Sequence, residues 1–153
     1  MTPRMLRLET RAETEALARK VAGHAQPGDT ILLSGPLGAG KSVFARAFLR
    51  TVCNDPALDV PSPTFTLIQT YASPAGPVSH FDLWRLKGPE ALEELGWDDA
   101  RTGIILAEWP ERLEDLTPED ALHITLKPIP GTGTPDAEDL PREATLTGWS
   151  DRL

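Results

Sequence analysis

The chain is 153 residues long, with 40% hydrophobic and 25% charged side chains and a formal net charge of −8. That length and balance suit one folded domain with a real core and set disorder aside. An acidic chain without a cluster of Lys and Arg argues against direct capture of nucleic acid, so any nucleic acid is expected to be held by another protein. The single cysteine, Cys53, excludes an internal disulfide and a thiolate metal cluster, and fits a reducing cytoplasm. Met1–Thr10 lacks the apolar core of a signal peptide, and no apolar run reaches membrane-spanning length.

In chain order, Met5–Leu8 reads as a short first strand. Thr10 and Glu13 form a T-x-x-E capping box that opens a helix, with Ala16, Leu17, Val21 and His24 near one face; Gly23 and Pro27-Gly28 end it. Thr30–Ser34 (TILLS) is an apolar run of buried-strand type. A glycine-rich loop follows, then a helix from Lys41 to about Val52 with Phe44, Ala47, Phe48 and Thr51 at helical spacing. Asn54–Pro63 is proline-rich and irregular. Phe65–Tyr71 and Val78–Trp84 read as a hairpin joined by ASPAGP. Pro89 and Gly96 bracket a short helix, EALEEL. Ile104–Ala107 and Leu122–Leu126 are further buried strands, Pro128–Pro141 a loop, and Glu143–Thr147 a final edge strand. The expected fold is α/β: with the glycine-rich loop Gly35–Ser42 (GPLGAGKS) between an apolar strand and a helix, it is a single P-loop NTPase domain over residues 1–153, with a mixed, mainly parallel sheet, flanking helices and a β-hairpin.

The loop Gly35-Pro36-Leu37-Gly38-Ala39-Gly40-Lys41-Ser42 fits G-x4-G-K-S/T. Glycines let the backbone curl and approach a ligand closely, and the curled N–H groups with the helix N-terminus make an anion cradle. Lys41 would reach β- and γ-phosphates, and the Ser42 hydroxyl would ligate Mg²⁺. An apolar strand before the loop and an amphipathic helix after it are the context this motif requires.

Mg²⁺ needs a hard carboxylate donor, which in P-loop folds sits at the C-terminal end of a neighbouring strand. Asp82, ending VSHFD, and Glu108, ending IILAE, both qualify. Thr64, in the proline-stiffened Ser62-Pro63-Thr64-Phe65, reads equally well as a γ-phosphate contact or as an ordinary strand threonine. His24, His80 and His123 lack metal-ligand spacing; His80 could orient Asp82, although a structural histidine is the simpler reading. Cys53 reads as a small core residue and Trp109 as a residue at the mouth of the site; Trp97 and Trp149 could mark an interaction surface, although isolated exposed apolar residues need no explanation. The sole asparagine is Asn54, so the N-K-x-D element of guanine-selective proteins is absent, which favours ATP. A small-molecule kinase would need an arginine-bearing lid, and Arg101, Arg112 and Arg142 are scattered.

The segments LLSGPLGAGKSVFARAFL, VPSPTFTLIQTY, HFDLWRL, EELGW and LAEWPER, in this order and spacing, resemble the TsaE (YjeE) family of bacterial ATPases required for threonylcarbamoyladenosine modification of tRNA. Arg142–Leu146 is similar to its basic C-terminal strand, so the resemblance runs from Thr14 to Leu146. It implies phosphate binding by Gly35 to Lys41 with the adjoining Ser42 and Val43, and magnesium held by Ser42 and Glu108. It further implies Asp82 near the γ-phosphate, Thr64 as a switch-like contact, and Thr14, Trp109 and Arg142 bordering the nucleotide. Lys41, Asp82, Glu108 and Thr64 would then carry catalysis. The family works with TsaB and TsaD, touches tRNA only through that complex, and does not itself modify tRNA. A small-molecule kinase, or an interaction module gated by nucleotide, are the alternatives. The chain departs from the family pattern at Pro36 (usually Asp), Ser42 (commonly Thr) and Trp84 (usually Tyr). Pro36 removes an N–H and fixes a torsion in the phosphate loop.

Overall fold

The computed structural model describes residues 3–36, 39–63, 66–129 and 141–153. Its elements are β1 (Arg4–Leu8), α1 (Arg11–His24), β2 (Thr30–Ser34), α2 (Lys41–Val52), β3 (Ile68–Ser73) and β4 (Gly76–Asp82), then α3 (Ala91–Glu94), α4 (Trp97–Ala100), β5 (Ile104–Glu108), a 3₁₀ helix (Pro110–Leu116), β6 (Leu122–Pro128) and β7 (Arg142–Thr147). The strands form one seven-stranded sheet in the order β1-β7-β6-β2-β5-β4-β3. β6, β2, β5 and β4 are mutually parallel at its centre, and antiparallel β3 and the β7–β1 pair close its two sides. This is the mixed α/β sheet expected, with the hairpin at β3–β4 turning through Pro74-Ala75.

Period-two alternation divides the core between the two faces of the sheet. Ile31, Leu33, Ile104 and Leu106 pack with Leu17, Ala18 and Val21 of α1 and Phe44 and Phe48 of α2. Leu32, Ile105, Ala107 and Phe81 pack on the opposite side with Leu92, Trp97 and Leu113. Phe44 and Phe48 are fully buried and stack at 6.3 Å between centroids; burying each side chain stabilises the fold by about 2–3 kcal/mol. The capping box forms as expected: Glu13 N–H donates to Thr10 Oγ1 (3.3 Å), and Thr10 N–H to Glu13 Oε2 (3.1 Å).

Several sequence expectations change. Ala16 and His24 are exposed, and the buried stripe of α1 runs instead through Thr14, Leu17, Ala18, Val21 and Ala22. β7 is not an edge strand, because β1 pairs along its outer side from Arg4↔Leu146 to Leu8↔Arg142. Trp97 and Trp149 are buried rather than surface markers: Trp97 meets Phe81 edge-on at 5.1 Å, and Trp149 lies under the Arg152 guanidinium. Cys53 is the half-exposed C-cap of α2 rather than core. Most of the Pro128–Pro141 loop lies outside the described residues, as do Leu37, Gly38, Thr64 and Phe65.

Candidate active site

β2 runs into the glycine-rich loop and α2 leaves it, so Lys41 sits in the first turn of a helix whose N-cap, Gly40, has φ +101. That torsion suits glycine, and the space does too: a Cβ at Gly40 would lie 2.6 Å from Arg142 Nε. Arg142, which opens β7, is buried against the back of the loop. Gly40→Ala is therefore expected to cost about 2 kcal/mol or more, lowering the thermal midpoint by about 4–8 °C; an unchanged midpoint in a calorimetric scan would show that this packing is soft.

The strand ends supply the carboxylates. In the parallel β4–β5 pair Asp82 is the register partner of Glu108, and β2–β5 pairing sets Leu33 level with Glu108, just before the loop. By alternation His80, Asp82 and Glu108 share the sheet face that carries Val78, Leu106 and α2. Both carboxylates are largely buried. Asp82 Oδ1 accepts from the Trp84 N–H at 3.1 Å. Glu108 Oε2 lies 2.7 Å from His80 Nε2, so His80 serves Glu108 and not Asp82.

Lys41 is 6% exposed, and its Nζ makes no hydrogen bond among the described residues. It stands 3.5 Å from the centroid of the Trp109 ring. Burial pushes its pKa below the ordinary lysine value, and Glu108, Asp82 and Glu111 pull the other way. Trp109 holds φ +58 and ψ +54, a left-handed conformation costly for an aromatic residue. It packs on Trp84 at 4.4 Å, and Trp84 is 49% exposed. Beside the pair opens a cleft of about 590 Å³ lined by Trp84, Lys87, Trp109, Glu111 and Arg112.

A buried ammonium that lacks a hydrogen-bond partner among the described residues, in the first turn of a helix, fits a polyanionic ligand. Ser42 is exposed at the head of α2, and its hydroxyl with carboxylate oxygens is the donor chemistry a hard cation takes. No group of three or more His, Cys, Asp or Glu among the described residues is arranged to hold a metal; a magnesium ion here would depend on Ser42, Glu108, phosphate oxygens and water.

The structure thus brings together Gly35, Pro36, Ala39, Gly40, Lys41, Ser42, Val43, Asp82, Glu108, Trp109 and Arg142. Pro36 is exposed, and its carbonyl accepts from the Ala39 N–H. Val43 is buried in the first turn of α2. Thr14 is fully buried on α1, and its hydroxyl makes no hydrogen bond, to the loop or elsewhere, among the described residues. Two features of the site carry no local signal in the sequence: Glu111, whose Oε1 accepts from Ser34 Oγ at 3.4 Å, and the Trp84–Trp109 pair. Folding also gathers a basic cluster that the sequence leaves dispersed, Arg19, Arg46 and Arg50 along a groove between α1 and α2, tempered there by Glu15 and Asp55.

Strand, glycine loop and helix at the C-terminal edge of parallel strands, with two acidic strand ends alongside, define an α/β protein of the P-loop type. Residues 8–132 match the family model described as "Threonylcarbamoyl adenosine biosynthesis protein TsaE", and the chain belongs to the TsaE family. The tRNA threonylcarbamoyladenosine biosynthesis protein TsaE of Rickettsia felis is 40% identical over 124 residues, 80% of this chain and 72% of the relative. The protein of the same name from Bacillus subtilis is 35% identical over 142 residues, 92% and 82% of the two chains. The crystal structure of Bacillus subtilis YdiB superposes with a TM-score of 0.72 at 29% identity, covering 99% of this chain and 88% of that one. Among the described residues no helix is long and apolar enough to cross a membrane.

Proposed function

We propose that this chain is the ATP-binding and ATP-hydrolysing subunit of the cytoplasmic machinery that makes threonylcarbamoyladenosine in tRNA, acting with TsaB and TsaD and not modifying tRNA itself. The observation that carries the reading is the Lys41 ammonium, buried without a hydrogen-bond partner among the described residues and flanked by Asp82 and Glu108 in register. A cation held this way gains most from a ligand that is itself strongly anionic. Family membership supplies the pathway, and the net charge of −8 agrees with tRNA being held by partners.

In this reading the loop from Gly35 to Ser42 cradles the phosphates, with Val43 and Arg142 supporting it and Thr14 and Trp109 at its border. Lys41 offsets charge on the β- and γ-phosphates. Asp82 orients water near the γ-phosphate, while Ser42 and Glu108 hold magnesium; Thr64 senses the γ-phosphate. Magnesium, when bound, neutralises charge on the phosphate oxygens. Hydrolysis is slow in the isolated chain and rises when TsaB and TsaD organise the site.

The test is reconstitution of tRNA modification with purified partners, with and without this chain, alongside phosphate release. Modification that requires the chain, with phosphate release stimulated by the partners, is expected. Full modification without the chain, or rapid partner-independent phosphorylation of a metabolite, would overturn the reading.

A further inference from the structure

We infer that His80 is a positioning residue for the site: its imidazole N–H fixes the Glu108 carboxylate in the orientation that presents it to a divalent cation. The inference rests on the reading of Glu108 as a magnesium ligand and goes beyond it by assigning a role to a residue outside the phosphate loop and the acidic pair.

The geometry is specific. His80 is the register partner of Leu106, one full strand repeat below the Asp82–Glu108 rung. Its ring therefore crosses diagonally to the neighbouring strand, where Nε2 meets Glu108 Oε2 at 2.7 Å, with 3% and 11% of the two side chains exposed. A carboxylate accepts only, so the hydrogen of this bond sits on Nε2. Nδ1 is buried and makes no hydrogen bond among the described residues. A purely structural histidine buried in a sheet would be expected to satisfy itself on backbone groups. Here the ring's one hydrogen bond among the described residues is given to a carboxylate of the candidate site.

The consequence is chemical. Glu108 lies near the Lys41 ammonium, and its carboxylate is also anchored from the strand side by the His80 ring. One oxygen is thereby committed, and the plane of the carboxylate is set before any cation arrives. Partners of this kind are worth about 10- to 100-fold in metal affinity where they orient a ligand.

Two variants and one spectroscopic measurement test the idea. His80→Phe keeps the ring volume and removes the donor, whereas His80→Gln keeps an N–H close to the Nε2 position. Binding of a non-hydrolysable ATP analogue is titrated calorimetrically with and without Mg²⁺. The wild type is expected to bind more tightly with Mg²⁺. His80→Phe should lose about tenfold or more of that gain while its metal-free affinity stays close to the wild type's, and His80→Gln should recover most of the loss. An equal magnesium gain in all three proteins overturns the inference, as does a His80→Gln variant no better than His80→Phe, or a parallel fall of metal-free and metal-dependent binding. Nitrogen-15 NMR of the wild-type imidazole needs no variant to fold: a protected, hydrogen-bonded proton on Nε2 is expected, and a ring protonated only on Nδ1 overturns the assignment. Should the wild type bind no nucleotide under either condition, the ATP reading itself fails, and the inference with it. A normal wild type beside an unaffected His80→Phe refutes the inference alone.

Discussion

Lys41→Met is expected to weaken ATP binding about 100-fold or more, while the ligand-free protein melts at or above the wild-type temperature. The two halves share one cause. The ammonium is buried where no described group accepts its hydrogens, and burial pushes its pKa down against the pull of Glu108, Asp82 and Glu111. A lysine whose folded-state pKa is depressed binds fewer protons in the native than in the unfolded state between the two values. Stability therefore rises with pH across that window, and below it the folded protein bears the full cost of the buried charge. Methionine keeps the apolar stem and ends that cost, forfeiting the contact with Trp109, which is worth about 0.5–2 kcal/mol, and the attraction of Glu108, Asp82 and Glu111, which offsets burial only in part. Melting curves between neutral and alkaline pH, with fluorescence titration of ATP, check both halves. The wild-type midpoint should gain on the variant as pH rises. A variant that melts several degrees below wild type at neutral pH would mean that the Trp109 contact and the nearby carboxylates together outweigh desolvation. The expected pair of results would set function against stability, as is common for sites that hold an unsatisfied charge ready for a ligand.

Legibility of the fold and site in the sequence followed the range of the interactions involved. The capping box at Thr10, the buried strand TILLS, the glycine loop and the helix behind it are local patterns, and they fold as local physics dictates. The hairpin was readable too, because Pro74-Ala75 falls between two alternating runs. Whether a strand is an edge is not local: Glu143–Thr147 has the same alternation at an edge or inside, and only β1 returning from the far end of the chain places it inside. Trp97 looked like a surface residue because its four-residue helix is too short for a periodic signal; its ring is claimed by Phe81 on β4. In the site, Asp82 and Glu108 could be named as strand ends, yet nothing local ties His80 to Glu108, 28 positions away. That bond exists only once β4 and β5 lie parallel in this register. The left-handed backbone of Trp109 is likewise invisible beforehand, since aromatic residues rarely adopt it.

Glu108→Gln and Asp82→Asn should separate the roles of two carboxylates that the register places side by side. Each variant keeps the shape of its side chain and removes the charge. If Glu108 is the magnesium ligand, glutamine offers the cation only a neutral oxygen in place of a carboxylate. Hydrolysis in the presence of TsaB and TsaD should then fall by about 10²- to 10³-fold, and the magnesium concentration for half-maximal activity should rise about tenfold or more. ATP should still bind, because the loop backbone and Lys41 remain. Asp82 differs in its surroundings: it accepts from the Trp84 N–H, and it is not the residue His80 reaches. Asp82→Asn is therefore expected to lower turnover by a similar factor with little change in the magnesium midpoint, as suits a residue that orients water and not the cation. Phosphate release measured across a magnesium titration decides the matter. A midpoint shifted in Asp82→Asn and unmoved in Glu108→Gln would exchange the two roles, and the imidazole of His80 would then be holding the water-orienting carboxylate instead of the metal ligand.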